Sequence, residues 1–244
     1  MTIDEALPPA LEYPTVEPES AIELRWNPEQ DVRRRLLPGP PHVAELYHVN
    51  AALDAFRLGE IAPPAEIEQV RETYLATSFG PTAGTEPDAW RELCTDLGDP
   101  VAACLASVHD VPSVRAALFG ADICWLDGSQ LWRVAATRPV LVREAAVFPE
   151  HLEELAASTV EPPRSTRLVA IVLCPWRYMS LVGPRGYRRA LVDAGILVSH
   201  LATSAADLRF AWRVHHDFVD RAVNRVLLAD GVERAAVVLL EPEA

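Results

Sequence analysis

Between Gly186 and Leu208, apolar residues recur at spacings of three and four: Ala190, Leu191, Ala194, Leu197, Val198, Leu201, Ala205 and Leu208. Only a helix brings such positions to one side, so the spacing predicts a long helix with one buried stripe. A helix of this length has to lie at the centre of whatever packs around it. Asp217 stands where it could cap a second helix running through Val219, Val223, Val226 and Leu227 and ending near Gly231. Ala235 to Leu240 follows as a final strand.

Upstream, Leu168 to Cys174 is the clearest strand of the chain. Ala117–Leu126 and Leu131–Ala136 flank Asp127-Gly128-Ser129, a hairpin signal. Helices are expected over His42–Arg57, Pro64–Leu75 and Pro149–Ser158, and from near Asp88 through Trp90 and Leu93. Phe79–Glu86, with Gly80, Pro81 and Gly84, reads as a loop, and the apolar run Val101–Val108 reads as a buried strand. Strands separated by helices, with one hairpin among them, predict an α+β fold whose mixed sheet is packed by helices.

The first 41 residues cannot join such a core. Prolines from Pro8 to Pro41 remove backbone donors and fix their own angles, so residues 1–41 read as an arm ahead of one domain over residues 42–244. Within the arm, Arg33-Arg34-Arg35 is either an anion contact or a solvated cluster. A chain of 244 residues, half of them hydrophobic, suits one sizeable core. Its net charge of −13 disfavours nucleic acid and anionic membranes, which attract basic surfaces, and favours a peptide or protein partner.

All 22 basic residues are arginine, so no lysine-dependent mechanism is available. Cys94, Cys104, Cys124 and Cys174 are too widely spaced for paired zinc or thioredoxin-like motifs and read as buried thiols. No apolar run reaches the ~20 residues of a membrane span, and no signal peptide opens the chain, so the default expectation is cytoplasmic.

The stretch from Gly183 through Pro184, Arg185, Gly186, Tyr187, Arg188 and Arg189 to Asp193-Ala194-Gly195 resembles a known segment. It is similar to the one opening the long core helix of SagB-type (McbC-like) azoline dehydrogenases, in the nitroreductase superfamily. Tyr47-His48, the passage from Asp110-Val111 to Leu118-Phe119, the hairpin and the C-terminal elements follow the family's order. The resemblance implies a nitroreductase-like fold with the long helix at a dimer interface, and flavin mononucleotide (FMN) held where two subunits meet. It also implies oxidation of peptide thiazolines or oxazolines to azoles. The partners would be a precursor peptide, a cyclodehydratase or another dehydrogenase, in a homodimer or heterodimer.

Against that family the chain shows four departures. The Arg-Arg-Ser-x-Arg segment that neutralises the flavin phosphate is missing, since Arg33–Arg35 lacks the serine and precedes Tyr47-His48. Leu181 and Val182 stand where the family has a Lys-Tyr pair, and neither can move a proton. Bulky Arg209–Arg213 replaces a glycine-containing turn, and the chain closes on Glu241-Pro242-Glu243 instead of a glycine and a basic residue. Arg177, Arg185 and Arg188 are the arginines that could still meet a flavin phosphate; no catalytic residue is assigned.

Three readings stay open: a redox-impaired partner subunit of peptide maturation, an active FMN-dependent azoline dehydrogenase with relocated residues, or a flavin-free catalyst. Asp193 reads as an internal ion pair or a base. Trp176, Arg177 and Tyr178 read as a peptide contact or a core cap. His215-His216-Asp217 makes a poor metal site because adjacent side chains rarely converge on one ion. No G-x-S-x-G elbow supports a hydrolase.

Overall fold

The chain divides into two units, Met1–Leu58 and Gly59–Ala244, and the computed structural model describes residues 61–77, 90–93 and 98–243, all in the second. The arm over 1–41, the helix expected over His42–Arg57 and the loop Phe79–Glu86 lie outside the described residues.

The described elements begin with α1 (Pro64–Thr77), β1 (Trp90–Glu92), α2 (Pro100–Ala106) and α3 (Pro112–Ala116). They continue with β2 (Ala121–Asp127), β3 (Gln130–Val134), β4 (Val140–Ala146), α4 (Pro149–Ala157) and β5 (Arg167–Leu173). The chain then forms α5 (Trp176–Val182), α6 (Gly186–Asp207), β6 (Ala211–His215), α7 (Asp220–Val226) and β7 (Ala235–Glu243). The strands form one sheet in the order β1-β4-β3-β2-β5-β7-β6. The α+β class stands, and each pairing among these strands is antiparallel where a mixed sheet is the sequence expectation.

Alternation along the strands sorts side chains into two cores. Ile123 and Trp125 of β2, with Val169 and Ile171 of β5, face one side together with Leu197 and Leu201 of α6. Cys124, Leu126, Ala170 and Val172 face the other, against Leu155 of α4 and Val223 and Val226 of α7. The sheet is therefore covered on both faces. In α6 the buried stripe is small at its start and larger beyond: Ala190 and Ala194 allow close approach, while Leu197 and Leu201 are fully buried. Burying each of those leucines contributes about 1.5–3 kcal/mol.

Three local expectations give way. Val101–Val108 is helix α2 followed by a 3-10 turn, because the Asp99 carboxylate caps Val101 N at 3.0 Å and Pro100 takes the first turn. Trp90–Glu92 is a strand, since Trp90 pairs with Val142 and Glu92 with Val140. Asp217 does not cap α7: its carbonyl accepts from Val160 N at 3.0 Å in an isolated bridge, and α7 starts after Val219. The hairpin stands, with Asp127 opposite Gln130 and Gly128 in the left-handed conformation the turn requires (φ 63°). Among the described residues no helix is long and apolar enough to cross a membrane.

Candidate functional site

Helix α6 carries the motif that stands out in the sequence. Its entry is tight: a Cβ on Gly186 would lie 2.4 Å from Met179 N and 2.5 Å from Tyr178 C, so only glycine lets α5 fold back onto α6. Arg185 ends the 3-10 turn before α6 and Arg188 lies in its first turn, both half-buried. Leu181 packs against the core and its carbonyl accepts from Ala62 N at 3.1 Å, while Val182 is buried. The two positions where the sequence resemblance would place a proton-handling pair are packing positions here.

Arg177 points into the protein. Its side chain is 4% exposed, and Nη1 donates to Asp122 Oδ1 at 2.9 Å and to the carbonyls of Leu118 and Phe119, each at 3.2 Å. Asp122 also meets Arg234 Nε at 3.5 Å and Arg133 Nη1 at 3.8 Å, and Arg133 Nη2 reaches Glu144 at 2.5 Å. Burial alone would push the Asp122 carboxyl up. The charge and hydrogen bond of Arg177, with Arg133 and Arg234 behind it, outweigh burial and hold the carboxyl below its ordinary range.

Asp193 behaves oppositely. It lies on the buried side of α6, and Tyr178 Oη donates to its Oδ2 at 2.8 Å. Burial pushes its carboxyl up to about 6, and the Tyr178 hydrogen bond and the Arg71 charge offset only part of that. Of the aromatic and basic trio after β5, Trp176 is 48% exposed while Arg177 and Tyr178 are buried.

The outer side of α6 forms an open groove of about 470 Å³ with Val114 of α3, lined by Val192, Gly195, Ile196, Ser199 and His200. Val192 and Ile196 are exposed, and a Cβ added at Gly195 would meet nothing within 4 Å. At the groove's edge Ser107 Oγ donates to Cys104 O at 2.7 Å; its single proton thus placed, it accepts from Ser204 Oγ at 2.8 Å and from His200 Nε2 at 2.9 Å.

These groups do not fit FMN. A flavin phosphate needs arginine forks or converging free backbone donors. Among the described residues the groove is lined by no arginine, and α6 uses its interior N–H groups in its own ladder. Arg177 is committed to Asp122.

Elsewhere the polar clusters are tied into the fold. Buried His215 Nε2 meets Glu241 Oε2 at 3.2 Å, while exposed His216 lies 3.6 Å from Asp217, so the two histidines diverge. Glu241 Oε1 accepts from Arg164 N and Ser165 N and anchors the segment before β5. Arg209 adopts a left-handed conformation (φ 64°) at the end of α6, where glycine is commoner, and Trp212 Nε1 ties the following strand to Leu201 O at 3.0 Å. Cys104, Cys124 and Cys174 are buried free thiols; burial raises Cys104 to about 11 and Cys124 to about 12, and raises Cys174 as well. Among the described residues no three His, Cys, Asp or Glu side chains gather as a metal site.

The missed elements are α3, β4, α5 and β6. Pro112 and Pro175, each just before or at a helix start, are the signals that could have located α3 and α5.

No family model matches the chain, and no curated protein does. Solved structures do. A nitroreductase candidate from Anabaena variabilis is similar with a TM-score of 0.59 at 16% identity, covering 83% of this chain and 46% of that one. This chain thus spans less than half of that structure. The E. coli microcin synthetase McbBCD complex with truncated pro-MccB17 bound matches with a TM-score of 0.48 at 13% identity, over 79% of this chain and 98% of that one. A nitroreductase candidate from Ralstonia eutropha gives 0.47 at 11%, over 85% and 87%. At such identities the likeness to the Anabaena structure speaks to architecture alone: this chain has a nitroreductase-like α+β fold.

Proposed function

We infer that this chain is a redox-impaired, SagB-type subunit of azole-peptide maturation, which acts by docking a partner chain instead of oxidising azolines itself. The groove along α6 carries this reading. Its floor of Val114, Val192 and Ile196 is apolar, Ser199, His200 and Thr203 border it, no arginine lines it among the described residues, and Gly195 lies at its centre. Glycine inside a helix is destabilising by about 0.5–1 kcal/mol relative to alanine. Nothing among the described residues requires that glycine, whereas a second helix approaching closely would. The resemblance of Gly183–Gly195 to the SagB-type segment supplies the pathway, and the apolar Leu181–Val182 pair, packed on the core, supplies the reason for lost proton chemistry. In this reading α6 is the interface helix, residues 1–41 are a recognition arm, and the partner is a dehydrogenase, a cyclodehydratase or the precursor peptide.

Purified full-length chain tests this directly. The expected preparation is colourless, inert toward azoline peptides, and captured by a co-expressed pathway protein in a manner weakened by Gly195→Leu. Stoichiometric flavin absorption with azole formation by the chain alone would overturn the reading in favour of an active FMN dehydrogenase whose phosphate contacts include Arg185 and Arg188.

A further inference from the structure

Strand β6 closes the sheet on one side: it pairs with β7, and among the described residues no strand lies beyond it. Pro242 of β7 stands opposite Trp212 and has no N–H to give, so that pair exchanges no hydrogen bonds. Alternation then assigns the bonds with β7 to Ala211, Arg213 and His215, and it turns the N–H and C=O groups of Trp212 and Val214 away from the sheet. No backbone group among the described residues takes these outward groups.

Side chains follow the same alternation. Arg213 and His215 lie on the face of Glu241: Arg213 Nε meets Glu243 Oε1 at 3.0 Å, and His215 Nε2 meets Glu241 Oε2 at 3.2 Å. Trp212 lies on the α6 face, packed against that core and edge-on to Phe210 at 5.0 Å. Val214 shares that face and is 47% exposed at the rim. The outward backbone groups and an apolar shelf therefore belong to the same two residues.

Sheet edges are commonly blunted by proline, lysine, a bulge or shortness. The opposite edge, β1, is three residues long. β6 contains neither proline nor lysine, its register with β7 runs without a shift, and its arginine is drawn back onto Glu243.

Charge decides what suits this edge. A second copy meets two obstacles. Each copy carries a net charge of −13, which opposes self-association. The antiparallel register that pairs Trp212 of one copy with Val214 of the other also sets Arg213 opposite Arg213, and like charges directly opposite are destabilising. A peptide with basic residues flanking a β-branched stretch meets neither obstacle and complements the acidity of the chain.

We propose that the β6 edge docks an extended, basic-flanked peptide as an added strand, antiparallel to β6. The N–H and C=O groups of Trp212 and Val214 bond it, and its apolar side chains lie on the shelf these residues form. β6 contributes nothing to the α6 groove, so either docking surface can fail without the other.

The probe is a capped, dye-labelled peptide of sequence Lys-Val-Thr-Val-Thr-Val-Lys, titrated with the full-length chain while its fluorescence anisotropy is followed. In an antiparallel pair the bonded peptide residues carry their side chains on the face of their partners, so the valines bond Trp212 and Val214. N-methylation of the valines should therefore weaken binding about tenfold or more, and N-methylation of the threonines should not. Val214→Pro, which removes an outward N–H and leaves the bonds to β7 in place, should weaken it about tenfold as well. Should that variant fail to fold, the methylated peptides decide the matter on the wild-type chain. Amide exchange should show Trp212 and Val214 fast in the free chain and protected when the peptide is present. No anisotropy change, weakening by threonine instead of valine methylation, or full binding by a folded Val214→Pro variant would each overturn the proposal. So would protection of the two amides that grows with chain concentration alone, the sign of a second copy on the edge.

Discussion

Arg177 Nη1 and Asp122 Oδ1 are 2.9 Å apart, with side chains only 4% and 5% exposed, and this contact joins α5 to the start of β2. The cluster around it balances unevenly, with Asp122 and Glu144 facing Arg133, Arg177 and Arg234. Removing Arg177 leaves Asp122 two other guanidiniums, whereas removing the Asp122 charge leaves three arginines with one carboxylate. Breaking a buried pair costs about 3–5 kcal/mol, most of it from the stranded charge. Asp122→Asn should therefore lower the urea midpoint more than Arg177→Met. Equal or negligible losses would show that the cluster is not electrostatically coupled.

The same substitution on one helix should have opposite signs at two positions. Gly186→Ala drives a methyl into the backbone of Tyr178 and Met179, which cannot move aside, and should cost about 1–3 kcal/mol. Gly195→Ala meets nothing within 4 Å and should stabilise the isolated chain by about 0.5–1 kcal/mol. Thermal unfolding of the two variants separates them, and a destabilised Gly195→Ala variant would mean that its surroundings within the chain are not open.

Stability should fall as pH rises across the mildly acidic range. Asp193 keeps its proton to about 6 when folded but titrates near 3.8 when exposed, so between those values the folded state binds more protons than the unfolded one. The group's contribution is fully present below the lower value and is lost as pH rises through the upper one, by about 2–3 kcal/mol. Asp122 has the opposite sign, so the wild type and Asp193→Asn must be compared at each pH. Denaturation curves should show this downward slope in the wild type relative to the variant; parallel pH profiles would contradict the assignment.

Restoring the family's residue types at the motif should not restore chemistry. Val182 is 6% exposed and Leu181 packs on the core, so Val182→Tyr with Leu181→Lys overfills one site and places a charge beside the other. The double variant should lose about 1–3 kcal/mol of stability and form no azole from an azoline peptide. Azole formation by it alone, followed by mass spectrometry, would refute the prediction.

Helix α6 and strand β5 were legible because their signals are local. A stripe at three-and-four spacing and an unbroken apolar run each report a backbone period wherever the neighbours lie. The same logic failed at Val101–Val108, because α2 is buried on every side and its sequence retains no polar face to reveal a helical period. Trp90–Glu92 failed for another reason: its ladder partner Val140–Val142 lies far along the chain, and no local pattern announces a strand made by pairing.

By itself the sequence determined the elements with a strong internal period, the absence of any lysine, and the apolar residues at 181 and 182 that cannot handle a proton. Only the tertiary structure decided that Arg177 serves Asp122, that Gly186 and Gly120 are places of close approach while Gly195 meets no described residue, and that two aspartates of identical chemistry are shifted in opposite directions. Periodicity is a property of neighbouring residues, whereas desolvation and charge pairing depend on which distant segments the fold brings within a few ångströms.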